Sequence, residues 1–525
     1  MKIDLNPQFK KALEAMEETG KNIFITGRAG TGKSTLLQYF RERTKKKIVV
    51  LAPTGVAALN VQGQTIHSFF RFKPDVTLES VRKNGKTERS DLIQKLDAIV
   101  IDEISMVRAD LLDCVDLFLR LNGKNKQAPF GGIQMIFIGD LYQLPPVVTS
   151  HERDIFKTHY QSPYFFSANC LERVGLEIIE LEKIYRQRDA KFIHILNAIR
   201  TNTLQKEHLA HLNKRVDPSF QYKGGDFYIT LATTNDLADT INEEHLQKIK
   251  KPLRVYTAIR YGSFEERALP THEILRLKVG SQVMMLNNDS AVRWVNGSIG
   301  KIVAIRKEKD EDDCVVVQLT NGKEVDVTPY VWEMFDVGWN AQSKSIVSET
   351  IGTFRQYPMR LAWAVTIHKS QGKTFDNVII DLGRGAFAHG QTYVALSRCR
   401  TLEGIVLRQQ ISSKHILTDW QVAKFMTEYR YAESEKLLSL ADKIAMIEDA
   451  ITSEQALKIV YLKSNDEKSE RVIIPHQVGE MEYLGKCYIG VDAYCCERKS
   501  ERVFRVDRIL QMKAVDAISY QHTHI

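Results

Sequence analysis

The chain has no Cys-x-x-Cys pair. Its seven cysteines (Cys114, Cys170, Cys314, Cys399, Cys487, Cys495, Cys496) are odd in number and scattered, so neither a zinc site nor a disulfide framework is expected. No stretch comes near the ~20 consecutive apolar residues that a membrane-crossing helix needs, and residues Met1 to Leu13 read as an amphipathic helix rather than a secretory leader. No internal repeat or low-complexity tract is present. Charge of one sign is only mildly in excess: the formal net charge of +8 suits a nucleic-acid partner without demanding one. A cytoplasmic protein without membrane contact is expected. At 525 residues, with 43% hydrophobic and 26% charged content, the chain has the composition of a globular protein. At ~100–200 residues per domain, it is long enough for three or four domains.

From Asn22 to Leu181 apolar strand-like runs (Ile23–Thr26, Ile48–Ala52, Ala98–Ile101, Met135–Ile138) alternate with helical segments, which predicts a parallel α/β sheet. A polar stretch from Arg71 to Lys95, with Lys73, Arg82, Lys83, Lys86 and Arg89, interrupts it as a small basic insertion or a solvated surface loop. A second α/β block begins near Phe192, with a strand predicted at Phe227–Thr230 and a helix at Asn235–Ile249. It is broken from Leu277 to Lys344 by β-rich text with turn signals at Gly280, Asn296-Gly297 and Asn321-Gly322, and resumes through Ala362–His368 and Val378–Leu382. Thr418 to Ala450 carries no Pro or Gly and reads as a helical connector. After Ala456 short β runs around Pro475, Gly479 and Gly485 predict a separate small β domain.

The chemistry begins at Gly27-Arg28-Ala29-Gly30-Thr31-Gly32-Lys33-Ser34, which follows a strand-like run and precedes a helix-like one. Small residues there let backbone N–H groups curl around phosphates, Lys33 adds charge at the β/γ-phosphates, and Ser34 offers a hydroxyl to Mg²⁺. Nucleoside triphosphate binding is therefore expected. The strand Ala98–Ile101 ends in Asp102-Glu103, one carboxylate for Mg²⁺ and one to polarise an attacking water, which points to hydrolysis. After Ile138 comes Gly139-Asp140-Leu141-Tyr142-Gln143-Leu144-Pro145-Pro146, where Gln143 can bond a γ-phosphate or its attacking water.

Together with Ala52–Ala58, Thr65–Phe70, Tyr185-Arg186-Gln187, Thr366–Gly372 and Val394–Arg400, these make eight ordered motifs between Gly27 and Arg400. Their sequence and order resemble the Pif-type, RecD-like helicases of superfamily one, subgroup B. The resemblance implies an α/β fold with two RecA-like P-loop domains, ATP and Mg²⁺ between them, and single-stranded DNA across their top. It assigns residues 1–70 and 96–188 to the first lobe and 71–95 to a wedge insertion. It gives 189–276 and 345–417 to the second lobe and 277–344 to an SH3-like β-barrel insertion, followed by a connector at 418–455.

By that resemblance Gly27, Ala29, Gly30, Thr31, Gly32, Lys33, Ser34 and Gly372 meet ATP, Ser34 and Asp102 hold the metal, and Glu103, Gln143, Arg186 and Arg398 serve hydrolysis. Arg186 and Arg398 are either fingers on the γ-phosphate or buried structural ion pairs. The DNA track takes Thr54, Val56, His67, Ser68, Thr366, His368 and Lys369, with Arg293 and Asn296 from a turn in the barrel. Phe69 is assigned to DNA as a stacking ring, with core packing as the alternative. The family carries an adenine-reading Gln near the N-terminus; here Asn6-Pro7-Gln8-Phe9 places Gln8 one position early, which loosens the expectation of strict adenine preference.

Leu457 to Met512 resembles a WYL domain, a small Sm/SH3-like barrel, through Ile459-Val460-Tyr461, Arg471–Pro475 and Arg502–Ile509, although the Trp-Tyr-Leu tripeptide itself is absent. Residues 456–525 are assigned to it. Arg471, Arg498, Arg502, Arg505 and Arg508 either line an anion or single-strand site or form one solvated face. The expected activity is a 5′→3′ DNA helicase on tailed, forked or G-quadruplex DNA, associated with the nucleoid. It would act as a monomer, with a dimer on DNA as the alternative. An ATPase regulator and an RNA-directed motor are the competing classes.

Overall fold

The computed structural model describes residues 4–516 apart from positions 74, 86–89, 149–155, 157, 222–225, 265, 267–268, 308–311, 341–344, 384, 387, 464–467 and 484. Six strands, β1 (Asn22–Gly27), β2 (Ile48–Ala52), β3 (Gln64–Thr65), β4 (Ala98–Ile101), β5 (Gln134–Ile138) and β6 (Leu176–Leu181), form one sheet in the order β3-β2-β4-β5-β1-β6. All its pairings are parallel. Such strands are covered on both faces, which is why they read as almost unbroken apolar runs. Helices Pro7–Glu18 and Lys33–Arg43 supply the cover: Phe9, Met16, Leu36 and Phe40 share one core with Ile23, Ile25 and Ile136. Because β2 lies beyond β4 and β5 rather than beside β1, a crevice opens at the carboxyl ends of β1, β5 and β4, where α/β sheets bind ligands.

The N-terminal helix starts later than the amphipathic text suggests. Pro7 takes its first position, and Asn6 Oδ1 accepts the Phe9 N–H at 2.9 Å, a cap that fixes the start. The stretch 71–95 folds as two short helices, Leu78–Asn84 and Ser90–Lys95, which bury Val81, Leu92 and Ile93 and so are not a solvated loop. Lys86 and Arg89 lie outside the described residues.

The second lobe begins with β7 (Ile229–Ala232) and is interrupted by β8 (Arg254–Thr257), β9 (Ile259–Gly262), β10 (Ile274–Leu277), β11 (Gln282–Met285), β12 (Ile299–Arg306), β13 (Cys314–Leu319), β14 (Glu324–Val327), β15 (Tyr330–Asn340), β16 (Ser345–Gln356) and β17 (Met359–Leu361). It resumes with β18 (Ala364–Thr366), β19 (Val378–Asp381) and β20 (Ile405–Leu407), giving a parallel sheet β18-β7-β19-β20. The insertion holds an antiparallel sheet β14-β13-β12-β11-β17, a sheet β15-β16-β9 and the pair β10-β8. It is larger than the expected 277–344. Leu275, Tyr357 and Met359 share its core with Val283, Trp294 and Val317, and the expected boundary at Lys344 falls within a hairpin whose pairing runs to Tyr330 opposite Gln356.

The chain divides into two compact units, residues 1–200 with 204–417, and 418–525 with 201–203. In the second unit, helices Trp420–Leu437 and Leu440–Thr452 lead into β21 (Ala456–Leu462), β22 (Lys468–Tyr483), β23 (Lys486–Cys495), β24 (Ser500–Arg505) and β25 (Ile509–Val515), an antiparallel sheet ordered β24-β23-β22-β21-β25. The expected connector is part of this unit rather than a spacer. Leu440, Ile444, Ile447 and Ile451 recur at helical spacing and pack on Leu457, Ile473, Val491 and Phe504. Among the candidate arginines, Arg498 and Arg502 are exposed, whereas Arg505 Nη2 pairs with Asp507 Oδ2 at 2.6 Å.

Candidate active site and nucleic-acid track

The P-loop turns between β1 and helix Lys33–Arg43. Gly30 and Gly32 take φ of +82° and +89°, a left-handed conformation that glycine adopts without a steric penalty. Lys33 Nζ donates to Gly27 O at 2.7 Å and to Arg28 O at 3.1 Å, so the ammonium bridges the loop's own carbonyls. Burial lowers its pKa, against the pull of Asp140, Glu103 and Asp102.

Asp102 and Glu103 follow β4. Glu103 sits at φ 51°, ψ 43°, a left-handed conformation that a non-glycine residue adopts only when its surroundings hold it there. Asp102 is 9% exposed, and its carboxyl is pushed up to about 7 by burial and by the neighbouring Glu103. Glu103 is raised as well, chiefly by burial. Two adjacent acids, one buried and one half-buried, beside one lysine form a donor set short of positive charge. That suits a divalent ion brought in with phosphates, since Mg²⁺ uses one or two carboxylates and keeps several waters. Among the described residues no cluster of three or more His, Cys, Asp or Glu forms a metal cage independent of nucleotide.

The third element is the loop after β5. Asp140 is fully buried and accepts the Gln143 side-chain N–H at 3.1 Å. Gly390, from the second lobe, packs on the same loop. A Cβ there would lie 2.3 Å from Gln143 O and 2.4 Å from Tyr142 O, and its φ is +71°. Gly390→Ala is therefore expected to cost about 1–3 kcal/mol, combining left-handed strain with a backbone clash. Urea unfolding followed together with ATPase activity checks this; an unchanged midpoint would show that the contact yields freely.

The segment that leads out of the first lobe, together with the second lobe itself, closes the site. Arg186 lies against the P-loop, where a Cβ on Gly30 would come within 2.5 Å of Arg186 Cβ. Its Nη1 donates to Ser397 O at 3.1 Å. Arg398 is 1% exposed; its Nε donates to Val394 O and its Nη2 to Ser397 Oγ, each at 3.0 Å. Among the described residues no ion pair joins either guanidinium to a carboxylate, although the charges of Glu103 and Asp140 act on Arg398 against the burial that lowers its pKa. Burial and the charge of Arg398 push the Arg186 pKa down to about 9. The Tyr393 hydroxyl accepts the Ala29 N–H at 3.0 Å, a tie between the lobes that a 364-residue separation hides in the sequence. At the start of the chain, Gln8 Nε2 donates to Glu182 at 3.3 Å, and Phe9 is buried beneath Gly32.

The expected DNA-track residues divide. Thr54 is exposed and caps helix Gly55–Asn60, accepting from Ala57 N at 3.3 Å, and Val56 beside it is 37% exposed. His67 and Ser68 are half-buried on helix Ile66–Phe70. Thr366 Oγ1 accepts from Lys369 N at 3.3 Å, His368 is half-buried and Lys369 exposed. Thr366 and Lys369 line a cavity of about 200 Å³ with Asp239, Asn242 and Arg360.

Phe69 does not fit a stacking role. It is 3% exposed and meets Phe70 edge-on at 4.9 Å, while Phe70 packs on Phe72 and Phe118. The consecutive aromatics anchor the helix that carries His67. Arg293 braces its own turn, donating to both oxygens of Asp289 at 2.9 and 2.7 Å and to Asp326 O at 3.1 Å. These bonds hold the Asp289 carboxyl down to about 2. Asn296 instead joins three segments: its Nδ2 donates to Asn60 Oδ1 at 2.9 Å, and its Oδ1 accepts from Lys373 Nζ at 2.6 Å. Lys373, which the motif text did not single out, is lowered to about 8 by burial and by Arg360. Its position directly after Gly372 was the available signal.

A PIF1-like helicase family model matches residues 4–209, and a WYL domain model matches residues 442–514. The ATP-dependent DNA helicase Pif1 of Bdellovibrio bacteriovorus is 32% identical over 438 residues, spanning 81% of this chain and 92% of that protein. The crystal structure of Pif1 from Bacteroides with ADP-AlF4 is 37% identical, with a TM-score of 0.73 over 82% of this chain and 98% of that one. The same Bacteroides protein bound to single-stranded DNA gives 0.60 over the same shares. The motifs, the cleft between two RecA-like lobes and these relatives agree: the chain belongs to the Pif1 family of ATP-dependent DNA helicases, with a WYL domain at its C-terminal end.

Proposed function

We propose that the chain is a 5′→3′ motor that tracks single-stranded DNA and opens tailed, forked or G-quadruplex DNA, driven by lobe closure around ATP. The observation that carries this is a pair of guanidiniums, half-buried Arg186 beside the P-loop and buried Arg398, whose charge acts on it, for which no ion pair to a carboxylate is found among the described residues. Such a pair is unfavourable until an anion arrives. A γ-phosphate supplies that anion, and its loss on hydrolysis reopens the cost, so the nucleotide state drives the gap between the lobes. Lys33 and the P-loop amides bind the phosphates, Glu103 polarises the water, and Gln143 orients it. Ser34 and Asp102 would hold Mg²⁺, which when bound neutralises charge between the β- and γ-phosphates.

Thr54, Val56, His67, Ser68, Thr366, His368, Lys369 and Asn296 present hydroxyl, imidazole, ammonium, amide and backbone groups of the kind that hold phosphates without reading bases, as a translocating motor requires. The WYL domain modulates DNA engagement rather than chemistry. The decisive assay is unwinding of matched 5′-tailed and 3′-tailed DNA and RNA duplexes, by the full chain and by a chain ended at Leu417. Strand separation is expected on the 5′-tailed DNA, with ATPase retained and DNA affinity altered in the shorter chain. ATP turnover without strand separation on any substrate would refute the motor. Equal unwinding of the RNA duplexes would shift the substrate class.

A further inference from the structure

Helix Ala190–Arg200 belongs to the second lobe, where Phe192, Ile195 and Ile199 join its core. Its last residue reaches into the first. Arg200 is 4% exposed, and its Nη2 donates to Asp140 Oδ1 at 3.2 Å. Its guanidinium also lies 4.0 Å from the centre of the Tyr142 ring. Asp140 Oδ1 accepts the Tyr142 backbone N–H as well, at 3.3 Å, and Oδ2 takes the Gln143 side-chain N–H at 3.1 Å.

An ionised carboxylate only accepts hydrogen bonds, so it must meet the amide by its NH₂ end. That fixes which way Gln143 points. With Nε2 held on Asp140, the carbonyl oxygen is the end left to accept a hydrogen bond from water in the cleft. Asp140 is 0% exposed, and Arg200 is the cation paired with it, 3.2 Å from Oδ1.

We propose that Arg200 is a positioning residue for ATP hydrolysis: from the second lobe it pins the Asp140 carboxylate, so that the Gln143 amide presents its carbonyl oxygen to the attacking water. This rests on the assignment of Gln143 to the water. It adds a dependence on lobe contact, because Gln143 is set only while the helix ending at Arg200 stays docked on the loop after β5.

The test is DNA-stimulated ATPase of the full chain as Arg200→Met, Arg200→Lys, Gln143→Ala and Arg200→Met/Gln143→Ala. Arg200→Met is expected to lower kcat by about 10–100-fold with KM for ATP within about twofold, and Arg200→Lys to restore part of the loss. In the Gln143→Ala background the same change is expected to cost less than about twofold, since both act through one amide. Should Arg200→Met fail to fold by its thermal melt, Asp140→Leu/Arg200→Met removes both charges. It is expected to fold and to show the same kcat loss; normal kcat there overturns the proposal. Full multiplication of the two losses, or a loss confined to KM, also overturns it and leaves Gln143 in its role. Normal hydrolysis by Gln143→Ala removes the assignment of Gln143 itself, and the proposal with it.

Discussion

Arg398→Met is expected to leave ATP binding nearly intact and to lower DNA-stimulated kcat by about 10³-fold or more, the scale of an arginine that neutralises a transferring phosphoryl group. The same substitution is expected not to lower the melting temperature of the nucleotide-free protein. Arg398 is 1% exposed and its side chain donates to Val394 O and Ser397 Oγ, both within the preceding turn of its own helix, while its charge depresses the neighbouring Arg186. A buried guanidinium paired with a carboxylate would be costly to remove, because the abandoned acid stays behind. Here a methionine of similar length removes one of two like charges and strands no partner. Stability and activity should therefore move apart, as they do where a site stores cost for function. The check is single-turnover ATP hydrolysis beside a thermal melt. A melting temperature that falls with kcat would return Arg398 to a structural role, and normal turnover would remove it from the site.

What the sequence made legible was whatever lies within one strand-loop-helix unit. The P-loop, the acids after β4 and the Asp140–Gln143 loop each follow a buried strand directly, so their neighbours in sequence are their neighbours in space. Strand β4 falls at Ala98–Ile101 as its apolar run predicts. Contacts between lobes carry no such local mark. Arg200 ends an amphipathic helix 60 residues after Asp140 and looks like a solvated helix terminus, yet it is buried. Tyr393 reads as one more apolar residue before Val394, but its hydroxyl holds Ala29. The errors share a cause as well. Phe69 was assigned by residue type, and packing on Phe70 decides otherwise. The insertion was bounded by turn signals, whereas the ladder between β15 and β16 runs through one end of it. The helices after Thr418 lack Gly and Pro, which shows that they are helical but not what they cover.

Lys33→Ala carries the other large expected effect: ATP hydrolysis falls by about 10³-fold or more and strand separation disappears, while single-stranded DNA binding without nucleotide stays within about twofold. The geometry explains why a mere loss of one phosphate contact understates the change. The ammonium holds Gly27 O and Arg28 O together, so its removal also takes a donor from each carbonyl, with Arg28 O still bonded by Thr31 Oγ1 at 2.9 Å. It is also the cation that holds down the pKa values of both acids after β4. Asp102 stands at about 7 under burial and the charge of Glu103, with Lys33 pulling it lower, and Glu103 is raised against the same pull. Without Lys33 both rise, and because Asp102 already stands at about 7, more of it is protonated at neutral pH and unable to face a cation. What nucleotide binding remains should strengthen as pH rises from 6.5 to 8.5, more steeply than in the native chain. Fluorescent-nucleotide titrations at those two pH values, with ATPase measured alongside, read both effects. Hydrolysis within tenfold of native would mean that the P-loop amides and the two arginines suffice, and that the lysine is a brace of the empty loop.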